Sequence, residues 1–390
     1  MVAPKRMKFG VFMAPFHRVG ENPTLALDRD LELLQWLDTL GFDEAWVGEH
    51  HSAGWETICS PEVFIATAAE RTRHIRLGTG VISLPYHHPY MVANRMVLLD
   101  HLTRGRVMLG VGPGALASDA YMLGIDPKRQ REMMDESLGV IMRLFTENDP
   151  ITHKSDWFEL HDASLQLKSF QQPHVPVAVA SVQSPAGVLL AGKHGASVIS
   201  LSVPRDLVRK TTLKDQWAIA EESAAEHGKT VSRDNWRLSV GLHLAETRKE
   251  AFDDIRVGAG RVVTEYFGNT LGHEVPDVPA DQVVDYMSEN NQWIVGTPDD
   301  CVAGINRLLE ASDGFGGLLI RVEDWAPRDK IMRSYELLAR YVMPQFQGSL
   351  VGIETSNQWA AQIKGDLQIN RKAGLQAAAD SYVANNSKLD

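Results

Sequence analysis

Short uninterrupted apolar runs alternate along this chain with longer amphipathic ones. Lys8 to Ala14 predicts a buried strand, and Thr24 to Leu40, opened by Asn22-Pro23, predicts a helix. The pairing repeats as strand Asp43 to Gly48 with helix Pro61 to Thr72, then strand Ile75 to Leu84 with helix Pro89 to Leu102. Strand Arg106 to Val111 is followed by helix Lys128 to Phe145. The rhythm breaks over Thr152 to Leu167, where alternation predicts an excursion. It resumes with strand Pro176 to Ala180 and helix Pro185 to His194, then strand Ser197 to Leu201 and helix Asp206 to His227. Strand Arg237 to His243 and helix Arg248 to Tyr266 lead into a long irregular stretch, Gly268 to Val295. Helix Pro298 to Ala311, strand Gly317 to Val322 and helix Lys330 to Tyr341 complete the series.

Strands that are apolar throughout fit a parallel sheet covered on both faces. Eight strand–helix units in series predict an α/β fold, a single (β/α)8 TIM barrel over residues 1–346, with insertions at about 147–170 and 268–295. The second insertion is long enough for a lid. Residues 347–390, with a helical pattern over Asn357 to Val383, predict a C-terminal helical extension. Chemistry in such barrels sits at the carboxyl ends of the strands. That rule selects Pro15 to Arg18, Glu49 to Trp55, Pro85 to His88, Gly112 to Ala117, Ser181 to Ser184, and Ser202.

Composition narrows the class. The 390 residues are 44% hydrophobic and 23% charged, which is ordinary globular chemistry. A formal net charge of −11 offers nucleic acid no basic field. Two cysteines, Cys59 and Cys301, cannot form a disulfide framework, so a cytoplasmic location is expected. The longest uncharged stretches are broken by polar residues, Pro and Gly, so no membrane span is expected. The run Phe9 to Phe16 is expected to be a first strand and not a signal peptide.

Imidazoles crowd the predicted mouth: His17, His50, His51, His87 and His88. Neighbours at a strand end face opposite sides, so His50 and His51 are expected to serve different surroundings. Neither His-x-His nor His-Glu-x-x-His occurs, so no metal is expected. Gly110-x-Gly112-x-Gly114 is a poor dinucleotide fingerprint, yet it would let a flat ligand approach the backbone. Ser181-Val182-Gln183-Ser184-Pro185 opens a helix with hydroxyls and free amides, suited to a phosphate or to ordinary capping. Arg131, in the first turn of the fourth helix, is placed to reach the same region.

Seven motifs in order carry a family resemblance: MKFGVFM at Met7, GFDEAWVGEHH at Gly41, LGTGVISLPYHHP at Leu77, LLDHLTRGR at Leu98, GIDPKRQREMMDE at Gly124, GTPDDC at Gly296 and VMPQF at Val342. Together they resemble the bacterial luciferase-like flavin-dependent monooxygenases. FMAPFHRVGENPTLAL with EHHSAGWE is similar to the branch often labelled limonene monooxygenase. The resemblance implies reduced FMN as co-substrate (FAD or F420 being the lesser alternatives), supplied by a separate NAD(P)H:flavin reductase. It further implies reaction with O2 to a flavin C4a-peroxide and oxygenation of a small apolar substrate such as a terpene or cyclic ketone. Whether the outcome is epoxidation, hydroxylation or Baeyer–Villiger insertion stays open. By motif position His50, with Glu49 beside it, matches the catalytic histidine. Gly80 and Val81 match the flavin-ring contact, in some members through a non-proline cis peptide, whereas at Gly112 and Pro113 the chain departs from the cysteine and arginine of the light-emitting members, and Gly112 is expected at the cofactor only as a small residue. Arg131, Ser181, Val182 and Ser184 match the phosphate site, with the contacting serine left open. Phe16, His17, Trp55 and His88 are expected to line the substrate pocket. A homodimer is the family's usual state. The alternatives are an F420-dependent dehydrogenase or reductase of the same fold, and a non-catalytic partner subunit.

Overall fold

Eight parallel strands close into a ring: β1 (Lys8–Met13), β2 (Glu44–Val47), β3 (Arg76–Thr79), β4 (Val107–Gly112), β5 (Val177–Ser181), β6 (Ser197–Leu201), β7 (Trp236–Leu244) and β8 (Gly317–Arg321). β8 pairs back onto β1 with Lys8 opposite Gly317, so the fold is a TIM barrel. The computed structural model describes residues 6–13, 16–181, 185–203 and 211–386. The chain falls into two compact units, Met1–Met343 and Pro344–Asp390. The second unit carries helices Val351–Gln362 and Lys364–Asn386.

Two helix starts show their local cause plainly. Asn22 accepts the amides of Thr24 and Leu25 at 3.0 and 3.3 Å, and Pro23 supplies a preset φ at the first position of Pro23–Leu40. In the GTPDDC motif, Thr297 and Asp300 form a reciprocal capping box for Pro298–Ser312.

The barrel interior is plugged by Trp46 of β2, packed with Met108, Ala178, Ile199 and Leu319. The indole dictates glycine nearby. A methyl on Gly78 would stand 2.5 Å from the Trp46 ring, and one on Gly110 would stand 2.1 Å from the Thr79 carbonyl oxygen. Below the plug, Glu44 and Arg237 form a buried two-pronged ion pair at 2.6 and 3.0 Å.

One expectation about the chain's path is corrected. Gly268 to Val295 is not irregular throughout. A π-helical segment, Val262–Thr270, is followed by helix Val283–Glu289 and strand Trp293–Gly296. That strand pairs in parallel with the upper half of β7, Gly241 opposite Trp293. Val283, Val284, Met287, Trp293 and Trp325 bury a satellite core there. Each piece is too short for a periodicity signal, and they hold one another by burial. The excursion before β5 is an antiparallel hairpin, Ile151–Lys154 with Glu159–Ala163.

Candidate active site

The chain leaves β2 through Gly48 and Glu49 and places His50 at the mouth. His50 Nδ1 lies 3.2 Å from Asp119 Oδ2, and its Nε2 lies 3.1 Å from Glu56 Oε2. Burial opposes a charge on the ring, but Glu56 and Asp119 outweigh it and raise its pKa to about 10. At neutral pH the ring is therefore a cation holding a proton on each nitrogen. Asp119, on the short helix Ala117–Met122, also accepts the His51 amide at 3.1 Å and the Ser52 hydroxyl. Burial alone would push its carboxyl up; the bonds from His50 and Ser52 bring it below its ordinary value. Glu56 is tied from its other oxygen by the Tyr266 hydroxyl, which donates across 210 residues of chain. Burial and the Glu56 charge push the Tyr266 phenol far up, so it stays a donor.

Over this polar core lies an aromatic wall. Tyr266 packs on Phe16 at 5.1 Å and on Trp55 at 5.4 Å between ring centroids, with Phe267 behind. Phe16 is fixed by a bridge to Glu56, and the His17 amide donates to the Trp55 carbonyl at 2.8 Å. The π-helical segment thus contributes Tyr266 and Phe267 to the mouth.

Two of the expected pocket residues, Phe16 and Trp55, come together in this wall; the other two do not. His17 is buried away from it, with Nε2 3.0 Å from Asp30 and Nδ1 3.4 Å from Thr57. His88 is exposed at the start of helix Pro89–Leu102, edge-on to Phe158 of the excursion at 5.6 Å. Glu49 has its own partners, apart from the His50 ring. Its fully buried carboxylate takes His51 at 2.9 Å, His87 at 2.6 Å and the Ser83 amide at 2.7 Å. It clamps β3's continuation to β2, while the carboxylates on His50 are Asp119 and Glu56. Among the described residues no group of three His, Cys, Asp or Glu is arranged to hold a metal ion.

The ends of β3 and β4 are rich in glycine backbone. Gly80-Val81 is a non-proline cis peptide. The Val81 Cγ2 methyl stands 2.5 Å from where a Cβ on Gly112 would be, so only glycine fits there. Gly114, at φ +91°, lies under the Tyr86 hydroxyl, which Gln130 bonds at 3.1 Å. Helix Ala186–His194 lies directly on the end of β5, because Gly187 lets it approach Ala180 and Ser181. Ser181 is buried there, and Val182 and Ser184 lie outside the described residues. Arg131 is exposed at the second position of helix Gln130–Thr146 and makes no ion pair among the described residues. Gly80, Gly112 and Gly114 are required by the chain's own packing against Trp46, Val81 and Tyr86, and Arg131 is an exposed guanidinium on a neighbouring helix.

The family described as luciferase-like monooxygenase matches residues 7–313. The chain belongs to this family. Its monooxygenase relatives include 4-hydroxyprotoasukamycin monooxygenase of Streptomyces nodosus subsp. asukaensis, 50% identical over 92% of this chain and 97% of that protein. Limonene 1,2-monooxygenase of Rhodococcus erythropolis is 45% identical over 88% of each chain. Among solved structures, the oxygenating constituent of 3,6-diketocamphane monooxygenase from Pseudomonas putida, a type II Baeyer–Villiger monooxygenase in complex with FMN, superposes with a TM-score of 0.73. It is 27% identical over 87% of this chain and 98% of that one. This luciferase-like monooxygenase has no helix, among the described residues, long and apolar enough to cross a membrane.

The two carboxylates on His50 make a direct test of its environment. In Asp119→Asn the ring loses a charged acceptor, so its pKa is expected to fall from about 10 toward the ordinary ~6.5. An NMR titration of the His50 ring in both proteins reads this; an unmoved midpoint would remove Asp119 as a cause. Because folding raises this pKa, the stability His50 contributes is complete below about pH 6.5 and drains away as pH climbs toward 10.

Proposed function

We propose that this chain is the oxygenase component of a cytoplasmic, two-component, flavin-dependent monooxygenase acting on a small apolar substrate such as a terpene or cyclic ketone. A separate NAD(P)H:flavin reductase supplies reduced FMN. The observation that carries the reading is His50, held cationic by Asp119 and Glu56, together with the glycine-rich ends of β3 and β4. Bound reduced flavin supplies the electrons that activate O2; the chain supplies the surroundings. Gly80, Val81 and Gly112 would receive the ring, and Arg131 with the turn after Ser181 would take the phosphate. The wall of Phe16, Trp55, Tyr266 and Phe267 excludes water from the reacting atoms. His50 keeps a proton and a positive charge where negative charge develops on oxygen, and its two carboxylates fix the ring's orientation. With both nitrogens occupied by protons, it serves as an electrostatic stabiliser and proton donor, not as a base, near neutral pH. Exposed Met91, Leu98 and Leu102, seven and four residues apart on one helix face, support a homodimer.

The reading is tested with purified protein, a flavin reductase, NADH, FMN and 18O2. A product carrying one 18O atom is expected from a monoterpene or cyclic-ketone panel. Absence of product across the panel, with hydride transfer from an alcohol to F420, would replace the proposal by the dehydrogenase of the same fold.

A further inference from the structure

The floor of the barrel, at the opposite end from His50, holds a charge imbalance that the proposed chemistry leaves unused. Lys8, Glu44 and Arg76 are the first residues of β1, β2 and β3, and Arg237 is the second of β7. Glu44 and Arg76 each stand two residues before an inner position, Trp46 and Gly78, and Lys8 stands four before Phe12. Alternation therefore turns all three inward, as the Arg237 guanidinium over the Trp46 ring is turned. Lys8 and Arg237 both pair with Gly317 of β8. A methyl on Gly317 would stand 3.1 Å from Arg237 Cγ and 3.6 Å from Lys8 Cβ, so no side chain separates the two cations. This layer gathers positive charge in a chain whose net charge is −11.

A cavity of about 290 Å³ opens at this layer, with Lys8, Asp43, Glu44, His74 and Arg76 in its wall. Its two carboxylates are already engaged. Asp43 takes Arg6 at 2.6 Å and the Phe9 amide at 2.9 Å, and Glu44 takes Arg237 through both oxygens at 2.6 and 3.0 Å. Its cations are not. The Lys8 ammonium makes no hydrogen bond or ion pair among the described residues, and the Arg76 guanidinium donates to Gln171 alone, at 2.7 Å. Arg6, Lys8, Arg76 and Arg237 set against Asp43 and Glu44 leave two positive charges over. Burial lowers the Lys8 pKa most, Arg237 and Arg76 lower it further, and Glu44 and Asp43 offset them only in part. Lys8 and Arg76 are both half-buried, where an unpaired charge is costly. A dianion in the cavity would match the surplus. A phosphate group carries about −1.5 to −2 charge near neutrality, with oxygens enough for an ammonium and a guanidinium together. The volume is near the lower end for small-molecule sites, roughly 300 Å³, so there is room for a phosphate alone or on a small carrier.

We propose that the barrel floor is an anion site, in which Lys8 and Arg76 bind a phosphate group, free or carried by a small phosphate monoester. Inorganic phosphate and ribose 5-phosphate are each titrated calorimetrically into the protein, at constant ionic strength in chloride and with oxidised FMN present. Saturable binding is expected in the wild type. It is expected to weaken about tenfold or more in Lys8→Met and in Arg76→Met, and to be unchanged in Arg131→Met, where the flavin phosphate is assigned. Lys8→Met is expected to melt no lower than the wild type in chloride, because folding disfavours the ammonium it removes. A lost signal in that variant is then a lost site and not a lost fold. Either compound bound through Lys8 supports the assignment, and the tighter of the two identifies the source of the phosphate. No saturable heat in the wild type, wild-type affinity in Lys8→Met, or a loss confined to Arg131→Met overturns it.

Discussion

Replacing His50 with glutamine is expected to cut oxygenated product by about 100- to 1,000-fold while reduced flavin is still consumed. The side chain keeps its size and a hydrogen-bonding end, so what is lost is the charge. In the wild type that charge is secured twice, by Asp119 at 3.2 Å and Glu56 at 3.1 Å. A neutral amide leaves both carboxylates facing the mouth uncompensated, so the local field turns from balanced to negative where oxygen gains negative charge. A 1,000-fold loss corresponds to roughly 4 kcal/mol of transition-state stabilisation, within reach of one preorganised cation in a water-poor site. Flavin affinity should hardly move, because the ring and phosphate contacts are assigned to β3, β4 and the two helix starts. The measurement is product against hydrogen peroxide, with flavin binding followed separately. Product formed at the wild-type rate would end His50's part in the mechanism.

That prediction starts from a residue legible in the sequence, but its surroundings were not. The eight strands could be read because each is an unbroken apolar run, and strand ends then select the mouth. His50 and Trp55 follow from that rule alone. Asp119 does not, since it sits on a six-residue helix with no periodicity to expose it. Glu56 stands in the quoted EHHSAGWE motif, yet nothing local says that it turns back onto His50. Tyr266 meets Glu56 only through the closure of the ring, 210 residues later. The directions that Glu49, His17 and His88 take have the same root. Glu49, His17 and His88 are at strand ends as expected, but which way a side chain turns after a strand ends is decided by tertiary partners: His87 and Ser83 for Glu49, Asp30 for His17, Phe158 for His88. Periodicity carries strand position, and it carries nothing about loops that fold back.

The opposite end of the barrel should respond in the opposite way, with stability lost and the mouth untouched. Arg237→Met is expected to destabilise the fold by about 3–5 kcal/mol at neutral pH, the cost of leaving one partner of a buried pair alone. Glu44 and Arg237 are both almost wholly buried, bonded at 2.6 and 3.0 Å, and the guanidinium lies 5.2 Å over the Trp46 ring. Burial pushes the Glu44 carboxyl up, and the Arg237 cation overrides it and holds the pKa below the ordinary value. Lys8 pulls the same way more weakly, which places the loss at the lower end of the range. In the wild type the stability Glu44 contributes is present above its unfolded pKa, about 4.3, and is lost as pH falls through its depressed folded value. In Arg237→Met that carboxyl is no longer held down, so protonation relieves it and the deficit should shrink between neutrality and about pH 5. Adding Glu44→Gln should restore most of the loss at neutral pH, because no bare charge remains. Denaturant unfolding of the two single variants and the double variant across that pH range reads the cycle. If Arg237→Met is no less stable at pH 7 than at pH 5, the pair is not what holds the barrel floor; if the double variant is as weak as the single one, lost packing against Trp46 is the larger effect.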